Sequence, residues 1–176
     1  MRILELTRKE FAGGRLTYQY DSFGCYSVVA NVQGDGFSVA VVPKNAARRH
    51  TEFTTEIFAP SLTEPTLFIL VDNAGERVGY LETCPAENGK VLRVTNLMVE
   101  DGYRRRGYGS LLLSRARTQA RALGCQALSV KVPAGNYGGI RFLLGQGLTL
   151  TGYTALPGSP GAAQNEPTLE LGALIG

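Results

Sequence analysis

The run best suited to chemistry in this chain is Val99-Glu-Asp-Gly-Tyr-Arg-Arg-Arg-Gly-Tyr-Gly-Ser110. Gly107 and Gly109 have no Cβ, so the backbone there can approach a ligand closely. They stand at the expected start of a helix, where the first N–H groups have no intrahelical partner. Arg104, Arg105 and Arg106 add positive charge directly before them. Amides, helix dipole and guanidinium groups together form a cradle for an anion, and a pyrophosphate is the natural occupant. The run lacks the Lys-Ser/Thr ending of a Walker A loop and the third glycine of the dinucleotide fingerprint. Without its context it also reads as a solvated helix start.

Such a cradle needs a strand before it and a helix after it. Val91 to Val99, following the Asn88-Gly89 turn, is a β-prone run. With Thr66–Val71 and Arg77–Leu81, which flank the turn at Asp72–Glu76, it predicts an antiparallel meander. From Gly107 to Leu123 the period changes. Leu112, Leu113, Ala116, Ala120 and Leu123 share one side of a helical wheel, and Gly124 is a good stop. Ala127–Val132 is a β run closed by Pro133, and Asn136–Gly145 makes a short helix weakened by glycine. Two more strands are expected at Leu148–Thr154 and Pro167–Leu171, joined by a flexible connection, Pro157–Asn165. Nearer the start, Cys25–Val32 and Phe37–Val42 should pair across Gln33-Gly34-Asp35-Gly36, with Pro43 ending the second strand. His50–Phe58 mixes polar and apolar residues without alternation, which predicts a short helix. No repeat or linker divides the chain, so residues 1–176 read as a single domain around one sheet.

Composition narrows the function classes. The 176 residues are 44% apolar and 19% charged, enough for a real core. A net charge of +3 is too mild to argue for a polyanion partner. Charged residues interrupt Met1–Phe11, and no later run is apolar for long enough to cross a bilayer, so a cytoplasmic protein is expected. Cys25, Cys84 and Cys125 lack metal-binding spacing and read as free thiols, buried as small hydrophobes. His50 is the only histidine and is expected at the surface, so no metal site is expected.

The order of strand, Arg-x-x-Gly-x-Gly, amphipathic helix, β run and Asn-led helix resembles the GNAT superfamily of acyl-CoA-dependent N-acyltransferases. The resemblance covers Arg77 to Gly147 and is most specific over Leu97 to Gly124. It implies an α/β fold with a mixed, mostly antiparallel central sheet flanked by helices and splayed at the cofactor cleft. It also implies acetyl-CoA as acyl donor, its pantetheine arm pairing with the strand at Met98 and Val99. The pyrophosphate would then lie on Arg104, Arg105, Arg106, Gly107, Tyr108, Gly109 and Ser110. Asn136 matches the leading Asn of the family's second cofactor motif and would bond the pantetheine or acyl region, while its chemistry also suits a helix N-cap. Leu143 stands where many members carry a Tyr that protonates the departing thiolate. A narrower resemblance, to streptothricin acetyltransferases, rests on Tyr20-Asp-Ser-Phe-Gly24, Gly36-Phe-Ser38, Gly147-Leu-Thr-Leu-Thr-Gly152 and Asn165-Glu166. It implies a basic amine acceptor, with Asp21, Glu52, Glu56 or Glu82 attracting the cation.

Acyl transfer to an amine requires a base for the amine proton, a donor for the oxyanion and departure of a thiolate. A main-chain N–H near Val99 can serve the oxyanion. A thiolate leaves readily enough that a dedicated acid is helpful rather than obligatory. Tyr108, Tyr137 and Tyr153 are candidate replacement donors, each equally at home as a packed aromatic. Thr95 and Asn96 are neutral where the family often has a carboxylate, so Glu82 is the candidate base, its alternative being an exposed strand-end acid. The expected activity is acetyl transfer to a primary amine by direct attack, since no cysteine lies in the motifs. A non-catalytic acyl-CoA sensor is the alternative, and a nucleic-acid module on the three arginines ranks third. The expected partners are acetyl-CoA and an amine, with a homodimer as a further option and neither nucleic acid nor membrane.

Overall fold

The computed structural model describes residues 1–11, 13–155 and 166–176. The strands are β1 (Arg2–Leu6), β2 (Arg15–Gln33), β3 (Gly36–Glu56), β4 (Thr66–Val71), β5 (Arg77–Pro85), β6 (Val91–Val99), β7 (Ala127–Pro133), β8 (Thr149–Thr154) and β9 (Thr168–Leu174). Two α-helices, α1 (Tyr108–Ala122) and α2 (Tyr137–Gly145), and a 3-10 turn at Asp101–Tyr103 complete the described elements. The fold is the mixed, mostly antiparallel α/β arrangement expected, and the Pro157–Asn165 connection lies outside the described residues. The chain divides into two compact units.

The first unit comprises Met1–Leu16, Thr55–Val130 and Gly172–Gly176. Its strands run in the order β1-β4-β5-β6-β7, the last through residues 127–130. The β4-β5-β6 meander is antiparallel as anticipated, and β1 adds an antiparallel edge strand against β4 that sequence reading passed over. β6 and β7 pair in parallel. Their connection is α1, as a parallel crossover requires. The helix buries Leu112, Leu113, Ala116 and Ala120 against β5 and β6. Gly79 permits this approach, since a Cβ there would lie 3.0 Å from Leu112 Cδ1 and 3.2 Å from the Met98 carbonyl. Leu123, expected on the buried side, is instead 52% exposed at the C-cap, one residue before Gly124 turns left-handed at φ 71°.

The second unit comprises Thr17–Thr54 and Lys131–Leu171. It holds most of the β2–β3 hairpin, α2, and β8 beside β9. The hairpin is where expected, but both strands are far longer. Pro43 lies inside β3 instead of ending it, and the helix expected at His50–Phe58 is absent, most of that stretch being the end of β3. Cross-strand pairs account for the difference. Tyr18 stacks on Phe53 with ring centroids 4.9 Å apart, Gln19 donates to Glu52 at 2.9 Å, and Asp21 holds both Arg48 and His50. These partners lie about thirty residues away along the chain, beyond what local periodicity can register.

Candidate active site

In the first unit, the parallel ladder starts at Val91↔Ala127 and ends at Val94↔Val130. The antiparallel register of β6 with β5 shifts at the same place. Glu82 faces Asn96 and Thr83 faces Val94, so Thr95 has no opposite residue. Thr95 is therefore a β-bulge, a device that bends a strand, re-aims side chains and terminates pairing. Beyond it, β6 continues to Val99 along β5, past the end of the β7 register.

The direction of the main-chain groups on that continuation follows from alternation. The Glu100 N–H donates to the Val78 carbonyl at 3.0 Å. In an antiparallel ladder, alternate residues then face the same partner, so Met98 and Asn96 turn their main chains toward Tyr80 and Glu82 on β5. Leu97 and Val99 turn theirs to the other edge. The Val99 carbonyl confirms this direction by accepting from Arg104 Nε at 3.0 Å. Met98, named as a strand contact for pantetheine, is thus committed to β5 and has a buried side chain, while Leu97, which sequence reading missed, shares the open edge with Val99. That phase is set by the register of β6 against β5, which neither strand's sequence contains alone.

Glu82 is fully buried, not an exposed strand-end acid. Its Oε1 accepts the Phe58 N–H at 2.6 Å, and its Oε2 accepts Thr95 Oγ1 at 2.6 Å and Asn96 Nδ2 at 2.8 Å. Thr55 Oγ1 in turn donates to Asn96 Oδ1 at 2.8 Å. The carboxylate is held by three neutral donors, as a buried charge must be. Thr95 and Asn96, noted only for lacking charge, are the residues that hold it.

The expected anion cradle lies at the far end of β6. Arg105 has φ 63° and Gly107 φ 84°, two left-handed residues bracketing Arg106. A non-glycine residue held there is a strained position of the kind concentrated at functional sites. Gly107 is the N-cap of α1 and provides no side chain to close the first turn, whose N–H groups belong to Tyr108, Gly109 and Ser110. A Cβ at Gly107 would meet nothing within 4 Å, so the approach to those amides is open. The three arginines differ in position. Arg104 is tied to Val99 and, at 2.7 Å, to Asp101, whereas Arg105 and Arg106 are exposed. Arg106 lies 5.5 Å over the Tyr103 ring. The Tyr103 hydroxyl donates to Asp72 at 3.2 Å, which raises its own titration and joins the hinge to the β4–β5 turn.

In the second unit, Asn136 caps α2, its Oδ1 accepting the Gly139 N–H at 2.9 Å. Arg49 forks onto Glu166 at 3.1 and 3.3 Å, against Gly135, where a Cβ would clash with both side-chain ends and displace the pair. Tyr137 stacks on Tyr26 at 5.4 Å. Leu143 is a buried core residue of α2, and Tyr153 is 40% exposed. Of the acids expected to attract a cation, Asp21 is engaged by Arg48 and His50 and Glu52 by Gln19.

The model of the acetyltransferase (GNAT) family matches residues 28–147. The chain belongs to the GNAT acetyltransferase family. It is therefore an acyltransferase, and its bulged strand and glycine hinge fall within the matched residues. Comparison with curated proteins gives no match. Among solved structures, nourseothricin acetyltransferase is similar over 99% of this chain and 98% of its own, with a TM-score of 0.74 and 21% identity. A provisionally assigned streptothricin acetyltransferase from Bacillus anthracis, solved with acetyl coenzyme A, covers 99% and 97% at a TM-score of 0.70 and 11% identity. An aminoglycoside 6'-N-acetyltransferase complexed with coenzyme A covers 64% and 73% at 0.55 and 15% identity. At these identities the likeness is one of fold. Among the described residues of this GNAT chain, no cluster of three or more His, Cys, Asp or Glu is placed to hold a metal, and no helix is long and apolar enough to cross a membrane.

Proposed function

We propose that the chain transfers the acetyl group of acetyl-CoA to a primary amine of a small cationic molecule, by direct attack without an acyl-enzyme. The observation that carries this reading is the end of the β6–β7 ladder at Val94↔Val130, which leaves the Leu97–Val99 edge leading to the open first turn of α1. That edge suits an extended amide-bearing arm, which would add to it as a strand would. The Val99 N–H is the oxyanion donor. The amides of Gly107, Tyr108, Gly109 and Ser110, with Arg105 and Arg106, hold the pyrophosphate, while Arg104 fixes the hinge. Glu82 is the base. For the second unit taken by itself, the Nδ2 of Asn136 is the proposed donor to acetyl-CoA.

Direct attack is favoured because Cys84 and Cys125 are buried, and burial pushes the Cys125 thiol up, away from thiolate character; Cys25, expected to be buried too, is only half-buried, but it lies on β2, outside the bulged strand and glycine hinge. Leu143 cannot donate a proton, so the thiolate departs without help from that position. The acceptor class is inferred from coverage: two neighbours that match over 99% of this chain are named for nourseothricin and streptothricin, whereas an aminoglycoside enzyme matches 64% of it.

The test is release of coenzyme A thiol from acetyl-CoA with nourseothricin, an aminoglycoside, spermidine and a lysine peptide. Thiol release with at least one amine, strongest with nourseothricin, is expected. Binding of acetyl-CoA without thiol release from any of them would support the sensor reading instead.

A further inference from the structure

Glu82 cannot meet an amine directly, since no part of it is exposed. Any proton it takes must pass through one of the three groups on its oxygens. The Phe58 amide is main chain on a buried residue, and Asn96 is a buried carboxamide; neither relays a proton at ordinary cost. The third group is the Thr95 hydroxyl, on a half-buried residue at the end of the β6–β7 ladder. Its O–H points at Glu82 Oε2, so its oxygen lone pairs remain to accept from outside. The bulge gives Thr95 this position, because in a regular strand its side chain would point to the opposite face from Asn96.

We propose that Thr95 is the proton relay of the reaction, connecting the acceptor amine to Glu82. As the amine nitrogen bonds to the acetyl carbon, its N–H proton moves to Thr95 Oγ1 while the hydroxyl's own proton moves to Glu82 Oε2. The N–C bond takes the nitrogen lone pair and the carbonyl π pair moves onto oxygen; the carbonyl then re-forms, the C–S bond breaks, and its electron pair leaves on sulfur. The relay rests on the reading of Glu82 as base and adds the route by which a sealed carboxylate can act.

The experiment uses acetyl-CoA and whichever amine of the panel above releases most thiol. Thr95→Val keeps the shape and removes the hydroxyl. It should lower kcat at neutral pH by about 100-fold, the lower end of general-base contributions, with KM for acetyl-CoA within twofold. Thr95→Ser should recover most of the rate. The Thr95→Val defect should persist toward high pH, because the amine attacks in its neutral form and still gives up an N–H proton as the N–C bond forms. Combining Thr95→Val with Glu82→Gln should cost no more than Glu82→Gln alone. A proton inventory on the native enzyme, which needs no variant to fold, should bow as two protons in flight require. A linear inventory, or a Thr95→Val enzyme of native kcat beside a slow Glu82→Gln, overturns the relay and leaves Glu82 as base. Native kcat in Glu82→Gln overturns both, and a panel without thiol release removes the reaction itself.

Discussion

The Phe58 N–H lies 2.6 Å from Glu82 Oε1, and Phe58 itself is held at φ 57°. The carboxylate thus fixes a left-handed residue just after β3, as well as the bulge on β6. Glu82→Ala would orphan the buried Phe58 amide, at about 1–3 kcal/mol, and remove one partner each from Thr95 and Asn96. Glu82→Gln keeps an acceptor oxygen and should lose less. Urea midpoints are therefore expected in the order native, Gln, Ala. An Ala variant as stable as the native chain would mean that these donors find other partners and that Glu82 is not structural.

Asp72 links the β4–β5 turn to the hinge, and its ionisation should be visible in acid. Hydrogen bonds from the Glu76 and Ala74 amides and the Tyr103 hydroxyl hold its carboxyl below the usual carboxylate range. A depressed folded value means that the stabilisation is complete above the unfolded pKa, about 4, and is lost as pH falls through the folded one. Asp72→Asn should therefore be less stable than the native chain at pH 7, with the gap closing as both are titrated below pH 4. Thermal melts across that range measure it. A constant gap would assign the loss to turn geometry, not to charge.

Gly107 combines a backbone demand with a ligand demand. At φ 84° an alanine is strained by about 1–2 kcal/mol, yet its methyl would meet nothing within 4 Å of the protein. Gly107→Ala should lower the melting temperature modestly. It should weaken acetyl-CoA binding in calorimetry by more than tenfold, since the methyl and the shifted turn occupy the approach to the first amides of α1. Native affinity in a folded Gly107→Ala protein would move the pyrophosphate elsewhere.

The sequence carried those parts of the site in which one short segment states its own conformation. The Arg-Arg-Arg-Gly-Tyr-Gly run, the α1 periodicity and Asn136 ahead of α2 each depend on neighbours a few residues away, and all three are found at the expected positions. What escaped was set by pairing between distant residues. The His50–Phe58 stretch is mostly strand because β2 lies opposite it, and Glu82 is sealed because Phe58, Thr95 and Asn96 converge on it. The bulge at Thr95 is a mismatch of register between two strands, so neither strand contains it alone.

Asn136 offers a way to separate a structural from a chemical role at one atom each. Its Oδ1 caps α2 through Gly139, while its Nδ2 is the group proposed to donate to acetyl-CoA. Asn136→Ala removes both and should cost about 1 kcal/mol of stability as well as activity. Asn136→Asp keeps the capping oxygen and places negative charge at a helix N-terminus, where it is favourable. The Asp variant should therefore melt at or above the native temperature while losing kcat/KM for acetyl-CoA, because a carboxylate cannot donate and repels an oxygen-bearing ligand. An Asp variant with native kinetics would leave Asn136 as a cap alone, and an Asp variant as unstable as Ala would show that the cap needs the neutral amide.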